Sequence, residues 1–135
     1  MIEKLIEEAF LARECAYTPY SHFRVGAALL AENGTIYRGC NIENAAYTPS
    51  NCAERTAFFK AVSEGERSFR AIAIVGGKED EERLDYCAPC GVCRQVMREF
   101  CPDDFQIILA KSATEYQVYT LKQLLPESFG PDNLK

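Results

Sequence analysis

Three cysteines do most to limit what this chain can become. Cys52, in Cys52-Ala53-Glu54, and the pair in Pro89-Cys90-Gly91-Val92-Cys93 each stand where a helical pattern begins. Met1-Ile2-Glu3-Lys4 runs straight into an amphipathic pattern, so export is not expected; disulfides are rare in a reducing cytosol, and crowded cysteines there read first as metal ligands or catalytic thiols. Three thiolates meeting at one point would fill three corners of a zinc tetrahedron and leave the fourth to water. A chain built this way must bring two helix starts together, although they lie far apart in sequence.

The elements around these motifs follow from spacing and turn chemistry. Ile2, Leu5, Ile6, Ala9 and Phe10 share one helical face, and Thr18-Pro19 breaks the segment. Val25–Ala31 reads as a buried strand, Asn33-Gly34 as a hairpin turn and Ile36–Asn41 as the return strand. Residues 44–51 read as a loop before a helix that begins at Asn51 or Cys52 and stops at Gly65. A third strand, Phe69–Val75, is expected to close at Gly76-Gly77. After a charged loop, a helix runs over 90–100 with Val92, Val96, Met97 and Phe100 turned to the core. Phe105–Ala110 makes a fourth strand, Gln117–Tyr119 a weak fifth, and Leu121–Leu125 a short helix. This order implies an α/β layered fold with a mixed sheet, in one domain spanning 1–135.

Charge narrows the partners. The net charge is −5 and the isoelectric point about 5.0, and no basic run is available to neutralise phosphates. The acidic run Glu79-Asp80-Glu81-Glu82 would repel a polyanion, so a small, largely uncharged substrate is expected and a nucleic acid is not. The longest apolar run, Val25–Ala31, is too short to span a bilayer. A cytosolic location is the expectation.

Glu54 lies two residues from Cys52, close enough to reach a water on the metal without binding the metal itself. Zinc with three thiolates carries a formal charge of −1, which blunts its power to acidify water. Two helix N-termini, each equivalent to about half a positive charge, would offset this and lower the thiol pKa values. Arg55 would add a full positive charge beside the thiolates.

The motifs, taken in order, resemble a known family. They are Pro19-Tyr20-Ser21-His22-Phe23-Arg24-Val25-Gly26-Ala27-Ala28, Asn41-Ile42-Glu43-Asn44-Ala45, Cys52-Ala53-Glu54-Arg55, Pro89-Cys90-Gly91-Val92-Cys93-Arg94-Gln95 and Leu124-Leu125-Pro126-Glu127-Ser128-Phe129-Gly130-Pro131. The chain is similar over nearly its whole length to the small, zinc-dependent cytidine deaminases of pyrimidine salvage. The resemblance implies a three-layer α/β/α sandwich around a five-stranded sheet, and a homotetramer with one zinc per subunit and shared active sites. It implies hydrolytic deamination of free cytidine and deoxycytidine by zinc-activated water, with zinc on Cys52, Cys90 and Cys93 and Glu54 as the catalytic proton shuttle. It further implies that Asn41 and Glu43 bind the ribose, that Phe23 packs on the base and that the Ala53 backbone reads the base edge. Tyr47 and Phe129 would reach a neighbouring subunit's site.

Plainer readings stand beside these. Asn51 and Glu54 have capping-box spacing. Cys87 offers a competing ligand, so a closed four-cysteine zinc site stays open at this point. An iron–sulfur cluster is disfavoured by the gap between Cys93 and Cys101. Cys15, Cys40 and Cys101 read as buried thiols, and His22 as a surface or packing residue. An antibiotic (blasticidin-type) deaminase, a nucleic-acid editing deaminase and a structural zinc module are the rival functions.

Overall fold

The structure, a computed structural model, describes residues 1–135. Helix α1 covers Ile2–Arg13, strand β1 Phe23–Ala31, β2 Ile36–Cys40, helix α2 Ala53–Ser63, and β3 Phe69–Lys78. Helix α3 follows over Gly91–Phe100, then β4 over Gln106–Ala110, β5 over Tyr116–Thr120, α4 over Leu121–Leu124 and a final 3-10 turn over Pro131–Leu134.

The five strands form one sheet in the order β2-β1-β3-β4-β5. The hairpin β1–β2 is antiparallel, β1–β3 antiparallel, β3–β4 parallel and β4–β5 antiparallel. The sheet is therefore mixed, with its one parallel pair crossing over through α3. Gly34 takes a left-handed φ of 92° in the hairpin turn, a conformation that glycine adopts at no steric cost.

Side chains alternate across the sheet and feed two cores. On one face Leu5, Ile6 and Ala9 of α1 pack on Ala28, Leu30, Ala71, Ala73 and Val75. On the other, Ala53, Ala57, Phe58 and Ala61 of α2 and Met97 of α3 pack on Ala27, Leu29, Ile72, Ile74 and Ile107. Helices on both faces give the three-layer α/β/α sandwich that the resemblance implied. Phe58 ties α2 to its surroundings: its ring meets Phe69 edge-on at 5.2 Å and stacks on Phe100 of α3 at 6.2 Å between centroids. Truncating such a ring costs about 3–5 kcal/mol, and here it would loosen the pairing of the two helices that carry the cysteines.

Gly39 on β2 sets the start of α2. A Cβ at that position would collide with the Ala53 carbonyl and the Ala57 N–H, so glycine lets the first turn of α2 lie directly on the strand. That close approach fixes Cys52, Ala53 and Glu54 against the sheet.

Several sequence expectations need correction. Strand β3 does not close at Gly76-Gly77 but continues to Lys78, because Gly76 and Gly77 stay paired with Val25 and Arg24 of β1. The space their Cβ atoms would take is filled by Cys87 and Leu84. Val92 is not in the core: it stands 58% exposed on the first turn of α3, where Cys93 and Met97 face inward instead. Cys15 is exposed and Cys40 only partly covered, whereas Cys101 is buried as expected. Helix α1 stops at Arg13, ahead of Thr18-Pro19. The weak fifth strand is a full partner of β4.

Candidate active site

Cys52 and Cys90 are the N-cap residues of α2 and α3, both with extended backbone (ψ 155° and 168°) and neither capping its helix through the side chain. A serine or aspartate there would spend its oxygen on the free N–H groups of the first turn. A cysteine leaves its sulfur free to point forward. Cys93 sits one turn into α3 on the same side. The sulfur atoms of Cys52 and Cys90 lie 3.8 Å apart, those of Cys90 and Cys93 3.5 Å apart, and all three fall within 4.8 Å of one another. A tetrahedral zinc with Zn–S bonds of about 2.3 Å has sulfur–sulfur edges of about 3.8 Å. The donor set fits that ion. Cys93 is buried, Cys52 partly covered and Cys90 exposed, so the cluster opens toward solvent on one side.

Cys87 is not part of this group. Its sulfur is turned into the core beside Gly76 and Val25, where burial pushes the thiol up to about 11. A closed four-cysteine arrangement does not form.

Charge around the sulfurs is one-sided. The Arg55 guanidinium donates to Cys52 Sγ at 3.2 Å. The hydrogen bond from the Cys93 thiol and the Arg55 cation together hold Cys52 down at about 5, while sharing that proton and burial push Cys93 up. Cys52, at the positive end of α2, is thus held toward the thiolate and Cys93 toward the thiol.

Glu54 occupies the second position of α2 and is only 5% exposed. None of the ion pairs in the chain includes it. Burial, reinforced by the Cys52 thiolate, raises its carboxyl to about 7, the range in which a single group can both take and give a proton near neutral pH. The capping box with Asn51 is absent, since Cys52 is the N-cap and the Asn51 amide donates to Thr56 instead.

These features, a three-sulfur cluster at two helix starts with a buried carboxyl beside it, belong to a described family. The family model for the cytidine and deoxycytidylate deaminase zinc-binding region matches residues 1–109. The chain belongs to this family. It is 54% identical over 133 residues to the cytidine deaminase of Sporosarcina psychrophila, covering 98% of this chain and 94% of that one. It is 51% identical to the cytidine deaminase of Halalkalibacterium halodurans, over 98% and 96%. Among solved structures it is similar to the cytidine deaminase of Burkholderia pseudomallei, with 46% identity, a TM-score of 0.84 and coverage of 93% and 97%. The Mycobacterium tuberculosis enzyme gives 35% identity, a TM-score of 0.80 and coverage of 94% and 95%.

The remaining residues that the deaminase resemblance singled out gather around the end of β2, with one exception. Asn41, just past β2, accepts from the Val25 N–H and donates to the Phe23 carbonyl, both at 2.8 Å. It therefore clamps the first residues of β1, and Phe23 is 38% exposed. Glu43 is held by the Tyr20–Ser21 turn. Tyr47 projects from the loop before Cys52 with a left-handed φ of 62° and meets Tyr20 edge-on at 6.2 Å. Tyr20, Ser21, Glu43, Asn44, Tyr47 and Ser50 line an open pocket of about 320 Å³. A larger recess of about 480 Å³ lies between α1 and the sheet, away from the sulfurs. Ala53, at the first position of α2, has no intrahelical acceptor for its N–H and its carbonyl rests on Gly39.

The exception is Phe129, which lies in the tail after α4. Three α3 side chains with no task assigned from the sequence hold the end of α4 and that tail. Arg94 donates to the Pro89 and Leu124 carbonyls, each at 2.7 Å, Gln95 to the Phe129 carbonyl at 2.8 Å, and Arg98 to Ser128 Oγ at 3.0 Å. Their presence within five residues of Cys93 was visible in the sequence; their partners were not. Another group passed over is Glu79, which receives His22 Nδ1 at 3.1 Å and faces Arg24 at 3.5 Å.

Proposed function

We propose that this protein is a cytidine deaminase that hydrolyses free cytidine and deoxycytidine to uridine and deoxyuridine with release of ammonia. The observation that carries the reading is Glu54, buried and raised to about 7, beside three sulfurs spaced for zinc at two helix N-termini. The names of relatives with 54% and 51% identity support the substrate.

One zinc per chain would be held by Cys52, Cys90 and Cys93. When bound, it supplies the Lewis acidity that makes water a nucleophile at neutral pH. Glu54 takes one proton from the attacking water and delivers it to N3 of the pyrimidine, which makes C4 the electrophile. As the C4–O bond forms and the C4–N bond breaks, Glu54 carries the second water proton to the departing amine. Ammonia leaves and the product keeps its proton on N3. One carboxyl thus serves as base and then acid. Arg55 and the two helix ends offset the surplus negative charge of three thiolates.

The nucleoside would be read by Asn41 and Glu43 at the ribose, by Phe23 at the face of the base and by the Ala53 backbone at its polar edge. Tyr47 and Phe129 would complete a neighbouring subunit's site in a homotetramer. Tyr20 and Tyr47, both exposed and in edge-on contact, support an interface there, since contiguous exposed apolar surface marks contact sites. The chain forms one domain over 1–135, acts in pyrimidine salvage and resides in the cytoplasm; no helix is long and apolar enough to cross a membrane.

The test is an assay of purified protein on cytidine, deoxycytidine and blasticidin, with ammonia and bound zinc measured together. Turnover of the nucleosides with about one zinc per chain is expected. Zinc binding without turnover would favour a structural module, and turnover of blasticidin alone an antibiotic deaminase.

A further inference from the structure

The Tyr20–Ser21 turn is wrapped around the Glu43 carboxylate. Oε1 accepts the N–H groups of Tyr20 at 3.0 Å and Ser21 at 3.1 Å. Oε2 accepts the Ser21 hydroxyl. A carboxylate offers roughly four acceptor sites, so the chain itself occupies three of them and a single one, on Oε2, is left for a substrate hydroxyl. The direction of the Ser21 proton is also determined. Its oxygen accepts the Phe23 N–H at 3.0 Å, and a hydroxyl has one proton to give, so that proton is turned to Glu43. Phe23 does not need Ser21 to stay in place: Asn41 holds its carbonyl, and it pairs with Lys78 of β3.

We propose that Ser21 is a positioning residue for nucleoside recognition, acting through Glu43: its hydroxyl fixes the carboxylate so that one defined lone pair faces the ribose. The inference rests on the ribose role of Glu43 proposed above. The site is exposed and the Ser21 side chain touches neither core, so its loss leaves the fold and the cysteine cluster alone. What it changes is the freedom of Glu43. Without the hydroxyl, Oε2 loses its fixed partner, the carboxylate can pivot about Oε1, which the two N–H groups still hold, and water competes for the Oε2 lone pairs. The hydroxyl donation is also the largest influence holding the Glu43 carboxyl below the usual carboxylate range.

The experiment compares kcat and KM for cytidine and 2′,3′-dideoxycytidine in the parent, Ser21→Ala, Ser21→Thr and Glu43→Ala, with zinc content measured in each. Ser21→Ala is expected to lose about tenfold in kcat/KM on cytidine, the scale of one hydrogen bond to a charged group. The loss falls on KM, with kcat, zinc content and activity on the dideoxy compound nearly unchanged. Ser21→Thr, which keeps the hydroxyl, recovers most of it. Equal losses on both substrates would mean a merely structural role and overturn the proposal. An intact Ser21→Ala beside an impaired Glu43→Ala would also overturn it, while leaving the ribose role of Glu43 standing. If the parent does not distinguish the two nucleosides and Glu43→Ala is silent, the ribose reading fails and the role of Ser21 with it.

Discussion

Arg55 places its guanidinium 3.2 Å from the sulfur of Cys52, three residues back at the same helix start. The pairing answers a physical problem set by the ligand chemistry, because three thiolates overcompensate a divalent ion. A single cation on one thiolate, with the positive ends of α2 and α3, draws electron density back from the site. Replacing Arg55 with glutamine keeps a donor but removes the charge. The variant is expected to retain zinc and to lose about 10- to 100-fold in kcat, the worth of a charge-assisted hydrogen bond. A kcat within twofold of the parent at full zinc occupancy would show that the helix ends suffice.

Cys87 tests whether the site is open. Its sulfur fills the space over Gly76 and its thiol is pushed up to about 11 by burial, so it is a packing group that resists becoming a thiolate ligand. Cys87→Ser is expected to keep one zinc per chain and full turnover, at a stability cost of about 1 kcal/mol for a hydroxyl placed among apolar neighbours. Loss of the metal in this variant, seen by elemental analysis, would argue for a closed four-cysteine centre.

Glu54 has no ion-pair partner to satisfy and is buried, so removing its charge relieves the site electrostatically. Glu54→Gln is therefore expected to fold and bind zinc at least as well as the parent. Turnover should fall by about 100- to 10,000-fold, since an amide cannot carry protons between water, N3 and the leaving amine. Thermal unfolding and zinc content separate the two effects. Activity within tenfold of the parent would remove Glu54 from the mechanism.

The candidate site was legible in the sequence because the chemistry proposed for it needs particular residue types at particular places. Cys52, Glu54, Cys90 and Cys93 announce themselves by side chain and by standing at helix starts, and Gly34 and the β1–β2 hairpin by turn chemistry. What could not be read were the pairings between distant segments. Gln95 and Phe129 are 34 residues apart, and nothing in either residue names the other. Val92 shows a different limit: helical periodicity assigned it to the core, but it stands between Cys90 and Cys93 on the first turn of α3, where Cys93 is buried and Val92 is left in solvent. Strand β5 was faint because it is an edge strand, largely open to solvent on both faces, so the alternation that marks a half-buried strand is weak.

The tail gives the last prediction. Gln95 and Arg98 bind it through a carbonyl and a hydroxyl, and Arg94 holds the end of α4 just before it, which secures its path while leaving Phe129 59% exposed. If that ring served its own chain, it would be packed, and Phe129→Ala would cost a few kcal/mol of stability. An exposed ring on an anchored tail instead suits a contact with another subunit, where it can close a pocket that a chain of this size leaves open; ligand pockets typically bury about 70–90% of the ligand surface. Phe129→Ala is expected to change stability by less than about 1 kcal/mol, as at other surface positions. It should raise KM for cytidine by about tenfold, the scale of an aromatic contact with its buried area. Truncation after Pro126 should go further, giving a folded, zinc-loaded protein with sharply weaker substrate use and weaker assembly. Light scattering at the assay concentration decides the matter: a fully active monomer would end the shared-site reading, and a stability loss of several kcal/mol in Phe129→Ala would return the ring to its own chain.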